Sequence, residues 1–102
     1  MSLDLRASNL YPSVKTFTAN QLATEVLLPK TANKVTIGCE QHEIHWSTVG
    51  TDGIALGADK AYIDGGAYMQ LSLGKGYNRS NAIYIATKSA STATVILIFE
   101  EV

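Results

Sequence analysis

Apolar residues recur at every second position over most of the chain, and short clusters of Gly, Asp, Asn, Ser and Pro separate the alternating stretches. Strict alternation is the pattern of a strand with one buried face. Val35, Ile37 and Cys39 alternate with Thr36 and Gly38. Ile44 and Trp46 alternate with His45 and Ser47. Ala61 to Ile63 is brief and runs into Asp64-Gly65-Gly66, a tight-turn signal. Met69, Leu71 and Leu73 alternate with Tyr68, Gln70 and Ser72. Ile83 and Ile85 alternate with Ala82, Tyr84 and Ala86. Val95, Leu97 and Phe99 alternate with Ile96, Ile98 and Glu100.

A further apolar run, Glu25 to Leu28, ends at Pro29. It reads as a strand, with a helix over Ala19 to Leu28 as its rival, because Leu22 and Val26 have helical spacing and Asn20 could cap. Residues 1–14 show no sustained period, and Pro12 stops any regular element there. They read as an arm, either a flexible tail or a segment that orders against a neighbour. About seven short strands without a convincing helix predict an all-β fold, a small antiparallel β-sandwich of jelly-roll or immunoglobulin-like type. The expected organisation is an N-terminal arm over 1–14 and a single sandwich domain over 15–102. Two long loops, 50–60 and 74–81, interrupt the strands.

Composition narrows the function classes. The chain has 102 residues, the size of one domain. Only 17% are charged, against roughly 25% in a typical soluble domain. The net charge of -1 disfavours a nucleic-acid binder, which needs a basic face. No apolar run approaches the roughly 20 residues of a membrane-spanning helix. The single cysteine, Cys39, excludes an intrachain disulfide and reads as a small buried residue. No leader pattern opens the chain, so synthesis in a cytoplasm is expected.

Candidate chemistry is thin. His42 and His45 stand three apart, so on one strand they point to opposite faces and cannot converge on a metal. Asp52, Asp59 and Asp64 lack calcium-loop spacing and read as turn residues. Gly74-Lys75-Gly76 lacks the rest of a phosphate-binding loop. Asn78-Arg79-Ser80 is a formal glycosylation sequon, without meaning in a chain that is not secreted. No catalytic residue, cofactor site or metal site is predicted.

The apolar faces carry more. Val95 to Phe99 is hydrophobic at every position, so both faces of that strand avoid charge. Glu100 shares a face with Ile96 and Ile98, which assigns Val95, Leu97 and Phe99 to the core. Tyr62, Tyr68 and Tyr84 fall on the outward phases of their strands. If they share a sheet with Ile96 and Ile98, the outer surface is an aromatic and aliphatic patch suited to an interface. The alternative is cover by the protein's own first residues. The candidate contact residues are Leu3, Leu5, Leu10 and Tyr11 in the arm, and Tyr84, Ile96 and Ile98 on the outer face.

The stretch from Lys34 to Val102 resembles small β-sandwich virion proteins of tailed bacteriophages. The resemblance lies in an order of elements: a strand like Val35-Thr36-Ile37, a short one like Ile44-His45-Trp46-Ser47, and a Thr/Gly/Asp loop from Thr48 to Gly57. There follow a hairpin at Asp64-Gly65-Gly66 into Tyr68-Met69-Gln70-Leu71, the strand Ile83-Tyr84-Ile85-Ala86, a turn at Ser89 to Thr92, and Val95-Ile96-Leu97. The resemblance implies a non-enzymatic structural protein, a capsid decoration or cement subunit that bridges neighbouring shell subunits. Its implied partners are the major capsid protein or other virion proteins and further copies of itself, trimers being frequent, with neither nucleic acid nor membrane. The implied location is the virion. The alternative is a tail, fibre or receptor-binding module that recognises glycans, with Trp46, or Tyr77 with Asn78 and Asn81, as the sugar platform.

Overall fold

The computed structural model describes residues 2–74 and 79–102. The alternating stretches become strands: β1 (Leu3–Asp4), β2 (Ser13–Ala19), β3 (Thr24–Leu27), β4 (Lys34–Glu40), β5 (Ile44–Ser47), β6 (Ala61–Ile63), β7 (Tyr68–Ser72), β8 (Ala82–Thr87) and β9 (Ala93–Glu100). The described residues contain no helix, and none therefore that is long and apolar enough to cross a membrane. The span 19–28 resolves against its helical alternative. Leu22 is exposed, while Val26 pairs with Ile83 in a sheet.

Two sheets face each other. Sheet A has the order β1-β3-β8-β5-β6, and sheet B the order β2-β9-β4-β7. Every pairing is antiparallel except β1 with β3. The order has a simple rule. β2 pairs with β9, β3 with β8, β4 with β7 and β5 with β6, and these pairs lie in sheets B, A, B and A in turn. The chain runs out as one leg of a ribbon, returns as the other, and the ribbon wraps so that its segments alternate between sheets. That is the jelly-roll arrangement, which fits the expected antiparallel β-sandwich.

The core follows the phase read from β9. Val95, Leu97 and Phe99 are fully buried and meet Val35, Ile37 and Cys39 of β4 by register. From the other sheet come Val26, Ile44, Ile83 and Ile85, all buried. Asp64-Gly65-Gly66 forms a tight turn, closed by the Ala67 amide on the Asp64 carbonyl at 3.0 Å, with Gly66 at φ 87°. A positive φ there suits glycine. The turn is not a hairpin. It is the corner at which the chain leaves sheet A for sheet B, because β6 and β7 lie in different sheets.

Residues 1–14 are divided rather than separate. Leu3 and Asp4 form the parallel edge of sheet A, and the Leu5 amide bonds the Leu27 carbonyl at 2.9 Å. Leu5 is buried in the core. Ser13 and Val14 already belong to β2, opposite Phe99 and Ile98. The strand begins directly after Pro12, whose ring fixes an extended entry.

Candidate functional site

The two outer faces of the sandwich have different fates. On sheet A, Tyr84 is flanked by Glu25 and Ser47 through the register of β8 with β3 and β5. Its hydroxyl donates to Glu25 Oε2 at 3.0 Å. Burial, and then the Glu25 carboxylate, push that hydroxyl above the ordinary phenol range. The segment 48–60 folds back over this face. Gly50 lies against the Tyr84 ring so closely that a Cβ there would come within 2.9 Å of Cγ. Three bonds fasten the segment to the start of β3: Ala23 amide to Ile54 carbonyl, Gly53 amide to Ala23 carbonyl, and Glu25 amide to Asp52 Oδ1. The last holds the Asp52 carboxyl below the usual carboxylate range. His45 is buried beside this segment, bonded to Glu43 Oε2 at 2.9 Å and stacked on Tyr62 at 4.4 Å. The protein's own loop thus covers the Tyr84 part of sheet A, while Tyr62 at its edge stays exposed.

Sheet B is bare. Its outer face can be laid out from the register as two central rows. One runs Val14, Ile98, Thr36, Gln70, and the next runs Thr16, Ile96, Gly38, Tyr68. Val14 is 60% and Tyr68 55% exposed, and Ile96 and Ile98 between them are half-buried. The Tyr68 ring lies across Gly38, where an added Cβ would come within 2.2 Å of the ring. Glycine therefore lets the aromatic ring lie flat on β4. Among the described residues charge sits only at the ends of this face: the Lys34–Glu100 pair at 3.8 Å on one side, Glu40 on the other. Between them lie only aliphatic, aromatic, Thr, Gly and Gln residues.

The candidate contacts do not form one surface. Ile96 and Ile98 share sheet B with Tyr68, but Tyr84 and Tyr62 project from sheet A on the far side of the sandwich. Leu3 is half-buried and packs against the core, and Leu5 lies within it. Tyr11 is half-buried, and its hydroxyl lies 2.8 Å from Thr31 Oγ1 and donates to the Ser8 carbonyl. Leu10, 81% exposed, is the arm residue that remains open. Of the three outward tyrosines, Tyr68 is the one that shares a sheet with Ile96 and Ile98, and Val14, which sequence reasoning had not grouped with them, joins the same face.

The other candidates have local partners. His42 Nδ1 lies 2.9 Å from the Thr92 carbonyl, well apart in bonding from the His45–Glu43 pair. Among the described residues no group of three His, Cys, Asp or Glu side chains could hold a metal ion. The Cys39 thiol is buried against the Ile63 and Asp64 carbonyls, and burial raises its pKa. Trp46 faces the core side of β5, paired with Ile85 and Ala61, so it offers no exposed platform for a sugar. Arg79 donates to the Pro29, Ala32 and Ser80 carbonyls. Lys75, Gly76, Tyr77 and Asn78 lie outside the described residues. Comparison with protein-family models, with curated proteins and with solved structures returns no match.

Proposed function

We propose that this chain is a non-enzymatic virion structural protein of a tailed bacteriophage, a capsid decoration subunit that docks on neighbouring shell protein through the outer face of sheet B. One observation carries the reading. That face holds Val14, Ile96, Ile98 and Tyr68 with no charge among them, while on the opposite face the chain's own loop lies over Tyr84. An uncovered aliphatic and aromatic surface on so small a domain suits burial against a partner. The face works by surface burial alone. Binding to the assembled shell, and not to its free subunits, then stabilises the assembly by linkage.

The order of strands from Lys34 onward, which resembles virion sandwiches, supplies the class of partner: the major capsid protein. The test is the double substitution Ile96→Thr with Ile98→Thr. Each exchange removes roughly one to two methylene equivalents from the interface, so the pair costs about 1.5–3 kcal/mol, or roughly 10- to 100-fold in affinity. Both positions point away from the core, so the circular dichroism spectrum should be unchanged. Co-sedimentation with purified shells measures binding. Undiminished binding by a folded double variant would remove the sheet B face from the docking site, and failure of the unsubstituted protein to sediment with shells would overturn the decoration role.

A further inference from the structure

Strand edges differ in how they are guarded. In sheet A the edge strands are two and three residues long, β1 and β6. In sheet B, β2 runs for seven residues, but its core phase carries Lys15, exposed at the rim opposite Leu97. An inward-phase lysine is a device that blocks further pairing. The other edge of sheet B, β7, has neither device. Its five residues, Tyr68-Met69-Gln70-Leu71-Ser72, contain no charge and no proline.

The hydrogen-bond phase of β7 follows from its flanks. The Cys39 amide bonds the Ala67 carbonyl, and the Leu73 amide bonds the Asn33 carbonyl. In an antiparallel ladder this phase turns Met69 and Leu71 toward β4. The main-chain N–H and C=O groups of Tyr68, Gln70 and Ser72 then point away from the sheet. None of these groups has a partner among the described residues.

We propose that two copies of the chain pair through β7, antiparallel about a two-fold axis at Gln70, and so join two four-stranded sheets into one. The pattern is self-complementary. Each Gln70 bonds its counterpart through both main-chain groups, and Tyr68 of each copy bonds Ser72 of the other. The register sets a large side chain against a small one at both ends. At the centre it sets two Gln amides face to face, each both donor and acceptor. An uncharged strand places no like charges opposite each other, which self-pairing of a charged strand would do. The row Val14, Ile98, Thr36, Gln70 continues into the same row of the second copy. The joined sheet ends on both sides in β2, where Lys15 stops growth, so the assembly closes at two.

This inference goes beyond the decoration reading and stands without it, since it concerns a different set of groups and a different assay. Sedimentation velocity over about 1 µM to 1 mM brackets a contact of this size. The unsubstituted protein should pass from monomer to dimer across that range. Gln70→Lys places like charges across the axis, and Gln70→Pro removes an outward N–H that β4 does not use. Each should raise the dimerisation midpoint about tenfold or more, with an unchanged circular dichroism spectrum. Hydrogen exchange adds a local readout: the Tyr68, Gln70 and Ser72 amides should be protected at high concentration and exposed on dilution. A protein monomeric throughout, a trimer, or a dimer that Gln70→Lys leaves equally tight would overturn the proposal. Thr for Ile at 96 and 98 leaves β7 intact, so loss of shell binding with retained dimers separates the two readings.

Discussion

The contact between Tyr68 and Gly38 can be tested by a change of sign. Gly38 lies in a central strand, where exchange of glycine for alanine would normally stabilise by about 0.5–1 kcal/mol through lost backbone freedom in the unfolded chain. Here a Cβ at Gly38 would sit 2.2 Å from Tyr68 Cε2 and 2.3 Å from Cδ2. The ring must retreat by more than an ångström and give up its cross-strand packing, worth about 0.2–1 kcal/mol. Gly38→Ala should therefore be neutral or slightly destabilising in the unsubstituted protein. In a Tyr68→Ala background the obstacle is gone, and the same exchange should stabilise by about 0.5–1 kcal/mol. The expected coupling energy is about 1 kcal/mol. Urea unfolding of the four proteins in the cycle measures it, and about 1 kcal/mol corresponds to roughly 4–8 °C in Tm for a domain of this size. If Gly38→Ala stabilises equally in both backgrounds, the ring does not rest on the glycine.

Two further expectations concern the core and the covering loop. Leu97→Ala opens a cavity at a fully buried position between β2 and β4, and should cost about 2–5 kcal/mol by denaturant titration; a cost below about 1 kcal/mol would show that the sheets close over the gap. The Glu25 amide holds the Asp52 carboxyl below its ordinary value of 3.8, so the folded state favours the charged form. The associated stability is complete above that value and is lost as pH falls through the lower folded pKa. The Glu25 amide resonance should titrate with a midpoint under 3.8, and Asp52→Asn should abolish that titration; a midpoint at or above 3.8 would contradict the bond.

Much of the architecture was legible because alternation survives wherever one strand face is buried. Seven strands stand where the alternating stretches predict them, and the phase taken from Glu100 assigns Val95, Leu97 and Phe99 to the core. β2 was harder because its core phase holds Ser13 and Lys15, polar residues that an edge strand tolerates at its rim. The β-branched and aromatic run Thr16-Phe17-Thr18 was the available signal. β1 is too short to show a period. Period two assigns a residue to a face of its strand, but not the strand to a sheet. For that reason Tyr84 could be read as outward while its separation from Ile96 and Ile98 could not. That separation depends on β8 lying between β3 and β5, and β9 between β2 and β4, pairings between residues far apart in sequence. The cover over Tyr84 was equally hidden, since it rests on bonds between the 48–60 segment and the distant start of β3 and on the missing Cβ at Gly50.

The ribbon-like pairing of β2 with β9 also sets an order of events in folding. β9 is the last of the described strands to be synthesised, yet it sits between β2 and β4 at the heart of sheet B. Until it arrives, β2 has no partner and β4 can pair only with β7. Val35, Ile37 and Cys39 of β4 then lack the neighbours Phe99, Leu97 and Val95. The sandwich is thus completed by its final strand, and an incomplete chain exposes the apolar edges that would recruit other incomplete chains. Contacts this distant in sequence place the fold among the slow, all-or-none folders, in the range of milliseconds to seconds.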